Sequence, residues 1–102
     1  MNHVMDEIEA RAHRQLHRMR ELGERMAAIR VRETSTDGAI TAEVDGNGAL
    51  CDLVFTTTVS RMSPRDFEQL LVATAAQAAA RAFAERAELV NAFNAEGADL
   101  PR

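Results

Sequence analysis

From Met5 to Ile29 apolar residues recur at heptad spacing. With Met5 as position a, the a positions are Met5, Ala12, Met19 and Met26, and the d positions are Ile8, Gln15, Leu22 and Ile29. Leu16, beside Gln15, covers the single polar gap in that seam. A narrow apolar stripe of this kind predicts an amphipathic helix. It should begin between His3 and Asp6 and run to about Arg30, on the order of 40 Å at the helical rise. That exceeds what a small core can cover, so part of the helix is expected to project or to pack on another chain. Gly23 is its weak point, costing roughly 1 kcal/mol against alanine.

At Val31 the period changes from helical to alternating. Arg32 to Thr36 predicts an exposed strand, and Asp37-Gly38 is a hairpin turn signal. In the next strand, Ala39 to Asp45, Ile40, Ala42 and Val44 fall on one face and Thr41, Glu43 and Asp45 on the other. Gly46-Asn47-Gly48 forms the following turn, where glycine permits positive φ. Leu50 to Thr57 makes a third strand, and Leu50, Leu53 and Phe55 share a face only if a bulge falls between Leu50 and Leu53. Ser63-Pro64-Arg65-Asp66 supplies a capping serine, a first-turn proline and an early acid, which start a second long helix. Phe67, Leu70, Leu71 and Thr74 then recur at helical spacing. The run from Ala73 to Ala87 is alanine-rich, which suits close packing on another helix. Leu89, Val90 and Phe93 form a last apolar patch, with Gly97 and Pro101 expected to end the helix. The predicted fold is therefore α+β: a long N-terminal helix, a three-stranded antiparallel meander and a long C-terminal helix, α-β-β-β-α. Residues 1–30 form the projecting helix, 31–58 the sheet, 63–96 the second helix and 97–102 a tail, all in one domain.

Composition alters this picture in three places. Every basic residue is arginine, and the chain as a whole carries a net charge of −4, which argues against a simple polycation. Yet the charge is unevenly placed, with the arginines weighted toward the first third. In the heptad frame position g reads Arg11, Arg18, Arg25 and then Arg32. Position e, which would neutralise it in a plain coiled coil, reads Glu9, Leu16, Gly23 and Arg30. The cationic row is thus open to an anionic partner. Cys51 is the single cysteine, so no disulfide framework exists and a reducing cytoplasm fits. On a strand with no activating base near it, it is expected to be buried and inert. No apolar run reaches membrane-spanning length.

Catalytic chemistry finds no support. Ser60, Ser63 and Cys51 have no histidine near them in sequence, since His3, His13 and His17 all lie in the first helix. His13 and His17 stand at i, i+4, but without the surroundings of a metal site. Gly46-Asn47-Gly48 joins two strands and does not lead into a helix, as a phosphate loop must. No enzyme activity, metal or cofactor is expected.

The ordered combination Ile40-x-Ala42-x-Val44-Asp45-Gly46, then Leu50-x-x-Leu53-x-Phe55, then a helix with Leu70, Leu71 and the alanine run, resembles the YbaB/EbfC family of nucleoid-associated proteins. The first helix, with Met, Gln, Glu and Arg at heptad spacing, is also similar to theirs. The resemblance covers roughly residues 4 to 95 and is of the actinobacterial type, although arginine here replaces the lysines common in family members. It implies a homodimer with tweezer-like projecting helices that binds DNA loosely, located in the nucleoid of the cytoplasm and away from membranes. The heptad pattern, not the family, points to Arg11, Arg14, Arg18, Arg25 and Arg32 as phosphate contacts, with Arg20 behind them. Met19, Leu22, Met26, Ala76, Ala79 and Phe83 are the residues expected to meet a second copy or a partner. Two readings stay open. In one, the arginine row binds duplex DNA. In the other, the Met-rich helix docks a protein partner, as in family members that act with type VII secretion, and the arginines set register and solubility.

Overall fold

The computed structural model describes residues 3–98, so Pro101 and the end of the expected tail lie outside them. The elements are α1 (His3–Ala27), β1 (Arg30–Thr34), β2 (Ile40–Asp45), β3 (Leu50–Phe55), a short 3-10 turn (Thr57–Arg61) and α2 (Pro64–Ala98). The strands lie in the order β1-β2-β3 and pair antiparallel throughout. This is the α-β-β-β-α arrangement that the hydrophobic pattern predicts. The 3-10 turn is an addition that the pattern did not signal.

Local chemistry sets most boundaries. α1 stops at Ala27, short of Arg30, because its last turn tightens: Ala28 N–H is shared between Glu24 O at 3.0 Å and Arg25 O at 3.3 Å, and Ile29 N–H donates to Met26 O at 3.3 Å. The Arg30 guanidinium then covers the terminal carbonyls of Ala27 (3.2 Å) and Ile29 (2.7 Å), a favourable place for a cation. In the β1–β2 turn, Asp37 Oδ1 accepts from Ser35 Oγ at 2.7 Å and from Ala39 N–H at 3.0 Å. The Ser35 bond first, and the Ala39 bond second, hold the Asp37 carboxyl below the usual carboxylate range. At the start of α2, Asp66 N–H donates to Ser63 Oγ at 3.1 Å, the cap expected there.

β2 is the centre of the core. Ile40, Ala42 and Val44 are fully buried along it, joined by Ile29 and Val31 from one side and by Thr74, Ala78 and Ala82 of α2 from above. Alanine at the contact lets α2 lie close over β1 and β2. Thr74 satisfies its buried hydroxyl by donating to Leu70 O at 2.8 Å.

Two expectations are corrected. The register steps from Glu43↔Asp52 to Val44↔Leu50, so Cys51 is an extra residue on β3 and the expected bulge is present. That bulge, on an edge strand that α2 meets mainly through Phe67 against Phe55, leaves Cys51 exposed and not buried. Gly97 does not end α2, which continues to Ala98. Its final turns lie against α1, and this contact offsets the intrinsic cost of a helical glycine.

Candidate functional site

α1 and α2 run side by side in opposite directions. Arg30 lies level with Arg86 and Asn47, Leu22 with Leu89 and Ala92, and Arg18 with Phe93 and Glu96. Continuing that register, residues 3–14 of α1 run past the described end of α2 for about 17 Å. No residue of α1 is buried, and the molecule measures 76 × 19 × 16 Å. Among the described residues, the polar contacts of α1 with α2 all lie at the base of this projecting arm, at Arg18.

The structure separates the arginines that the heptad pattern grouped together. Arg11 and Arg14 sit on the arm with no ion pair among the described residues, and Arg20 likewise has none. Arg25 pairs within its own helix with Glu21 at 2.8 Å. Arg32, on β1, lies 3.0 Å from Glu43 on β2 and 3.6 Å from Asp52 on β3, one strand further. Arg18 is folded back onto α2. Carboxylates therefore reduce the field at the Arg25 and Arg32 end of the row, and the concentrated positive charge lies on residues 10–20. That stretch holds four arginines and two histidines without an acid. Counting acids along the helix would have found it; heptad position alone did not. Arg11, Arg14 and Arg18 fall on one face, and His13, His17 and Arg20 on a second face about a third of a turn away. His17 Nε2 lies 3.8 Å from Glu21.

A second surface lies at the other end of the molecule. Phe55, Leu53 and Leu50 pair across from Ile40, Ala42 and Val44, so they share the face toward α2. Yet α2 is centred over β1 and β2, and Leu50 and Phe55 stay 50% and 47% exposed. The flank of α2 on this side carries Val72, Ala76, Ala79 and Phe83, of which Val72 is 61% and Phe83 50% exposed. The Phe83 ring lies over Gly48, and Arg81 on the opposite flank reaches Glu33 of β1 at 3.0 Å. Leu50, Phe55, Val72 and Phe83 are thus exposed apolar residues on the side of the molecule that carries the β3 edge. Among the residues expected to meet a partner, Ala76, Ala79 and Phe83 lie on this side. Leu22 and Met26 are half-buried against their own chain, and Met19 faces outward on α1.

Among the described residues no three His, Cys, Asp or Glu side chains converge as metal ligands, and no helix is long and apolar enough to cross a membrane. The cleft between the helices, lined by Arg18, Leu22, Leu89, Phe93 and Glu96, has a volume of about 110 Å³.

Comparison with known proteins gives one family and one fold. The sequence profile of the YbaB/EbfC DNA-binding family matches residues 1–97. Among solved structures, an uncharacterized protein from Helicobacter pylori superposes with a TM-score of 0.65 at 17% identity, over 92% of this chain and 96% of that one. At that identity the likeness concerns the fold alone. No curated protein matches the chain.

Proposed function

The chain belongs to the YbaB/EbfC DNA-binding family, and from that premise we propose that it acts as a nucleoid-associated homodimer. Each copy contributes one arm, and the arms hold duplex DNA with little sequence preference and without catalysing a reaction. The observation that carries this reading is the unburied arm with its acid-free stretch from residue 10 to residue 20. Arginines without carboxylate partners, carried clear of the domain, suit a phosphate backbone, and their local potential outweighs an acidic net charge. Gln15, the single amide on α1, accepts from Arg18 Nη1 at 3.1 Å and so favours packing over reading of bases. Arg11 and Arg14 on the arm are the main contacts in this reading and Arg20, at its base and on the second face, is the third, with Arg25 and Arg32 weakened by their acidic neighbours. The second copy sits on the apolar surface of Phe55, Val72, Ala76 and Phe83, because an exposed patch of that kind marks an interface.

A salt series on unrelated duplexes tests the reading by fluorescence anisotropy. Three phosphate contacts from each of two arms give a log–log slope near −5, with about 0.9 lost per contact removed. Arg11→Ala with Arg14→Ala should weaken binding to every sequence alike and flatten the slope by about 3 to 4. Sedimentation of Phe83→Glu should show monomers where the native protein shows dimers. Absence of DNA retention at low salt would refute the reading and leave the arm as a docking site for protein.

A further inference from the structure

We propose that Arg18 is a positioning residue: it fixes the direction in which the arm carries Arg11 and Arg14, and does not itself contact DNA. This rests on the DNA-binding reading above. Heptad position places Arg18 in the middle of the cationic row, where it would be the natural third contact. The structure uses each of its nitrogens elsewhere. Nη2 donates to the Phe93 carbonyl at 3.0 Å, Nη1 donates to Gln15 Oε1 at 3.1 Å, and Nε lies 3.4 Å from Glu96 Oε2. The guanidinium carbon stands 4.7 Å from the centre of the Phe93 ring. Only 19% of the side chain remains exposed.

The location explains what these contacts do. Among the described residues, the bonds of Arg18 to Phe93 and Glu96 are the only polar ties between α1 and α2. They lie one turn from the point where α1 leaves α2 behind. A cation near the carbonyl end of α2 is favoured by the helix dipole, and the planar guanidinium can stack on a ring while donating in two directions. The backbone of Gly97 lies beside this corner without crowding it, since an added Cβ would stand 3.9 Å from Nη2, an ordinary contact distance. Everything the arm presents lies beyond this tie, with Arg11 about 10 Å further along the helix axis. A small rotation at Arg18 therefore displaces Arg11 and Arg14 together. An arm held in one direction is preorganised and loses less freedom on binding.

The deciding experiment uses variants that separate charge from geometry. Phe93→Leu keeps every charge and removes the ring, whereas Arg18→Ala removes both the charge and the tie. If Arg18 positions the arm, each variant should weaken DNA binding roughly fivefold at fixed salt, the scale of a cation–π contact, and leave the salt slope unchanged. Arg18→Lys should restore only part of the loss. If Arg18 is a phosphate contact, Phe93→Leu releases its guanidinium and binding holds or tightens, while Arg18→Ala flattens the slope by about 2 for a dimer. That pair of results overturns the proposal. Arm direction is measured without DNA, by electron–electron distances between spin labels at Ala10→Cys and Ala80→Cys in a Cys51→Ser background. Excess unlabelled protein leaves one labelled chain per dimer. Arg18→Ala should broaden the distances, and an unchanged distribution also overturns the proposal. If native protein fails to bind DNA at low salt, the DNA reading and Arg18's role in it fall together, while a broadened distribution would still establish the tie.

Discussion

Gly38 and Gly48 have nearly the same backbone conformation, with φ of +75° and +77°, and sharply different surroundings. A Cβ at Gly38 would meet nothing within 4 Å. A Cβ at Gly48 would stand 2.7 Å from Phe83 Cζ, 3.2 Å from Phe83 Cε1 and 3.4 Å from the Ala79 Cβ. Gly38→Ala therefore isolates the left-handed backbone term, about 1 kcal/mol and partly offset by the stiffer unfolded chain. Gly48→Ala adds the displacement of the Phe83 ring, because carbon atoms at 2.7 Å overlap well inside their optimal separation of about 3.5–4.0 Å. With roughly half the ring's area in contact, about 100 Å² at 25 cal/mol per Å², full displacement costs up to about 2.5 kcal/mol. A half-exposed ring can swing partway, so the expected extra cost is about 1 to 2 kcal/mol. In thermal unfolding this should separate the two variants by about 5–10 °C. Phe83→Ala should cancel most of the excess in a double-mutant cycle. Equal melting temperatures for the two alanine variants would show that the hairpin and Phe83 are not in contact.

Ala78 is fully buried under the sheet and Ala80 is exposed, so Ala78→Leu should cost about 1 to 3 kcal/mol by overpacking while Ala80→Leu is near neutral in urea titration. Cys51→Ser should change stability by no more than about 0.5 kcal/mol, as for other exposed substitutions, and a larger loss would contradict the exposed bulge. The folded-state acidity of Asp37 is raised by the Ser35 and Ala39 bonds, so its contribution is present above about pH 4 and is lost as pH falls through its lowered folded value. Asp37→Asn should flatten that part of the acid-unfolding curve, and an unchanged curve would count against the turn geometry.

What could be read from the sequence was mostly what is local. The Asp37-Gly38 turn, the Ser63 cap and the alternation of Ile40, Ala42 and Val44 depend on neighbours within a few positions, and each appears as expected. The bulge was also legible, because Leu50 and Phe55 cannot share a face without it. Its effect on Cys51 was not, since burial depends on which strand α2 leaves largely uncovered. The arginine row shows the same division. Glu21 is four residues from Arg25, so that pair was visible in principle. The partners of Arg32 require the sheet register, and the tie from Arg18 to Phe93 spans 75 positions of chain. No helical periodicity carries that information.

The extra residue on β3 also limits how the sheet can grow. A flat edge strand with an apolar flank offers open-ended pairing, the geometry from which fibrous aggregates extend. At Cys51 the ladder loses its regular spacing and the strand bends, so a regular incoming strand cannot match its donors and acceptors along the whole length. At the opposite edge, Arg32 and Glu33 put charge on both faces of β1. The bulge thus acts as a stop against indefinite strand addition, on the same edge where the apolar surface invites a partner.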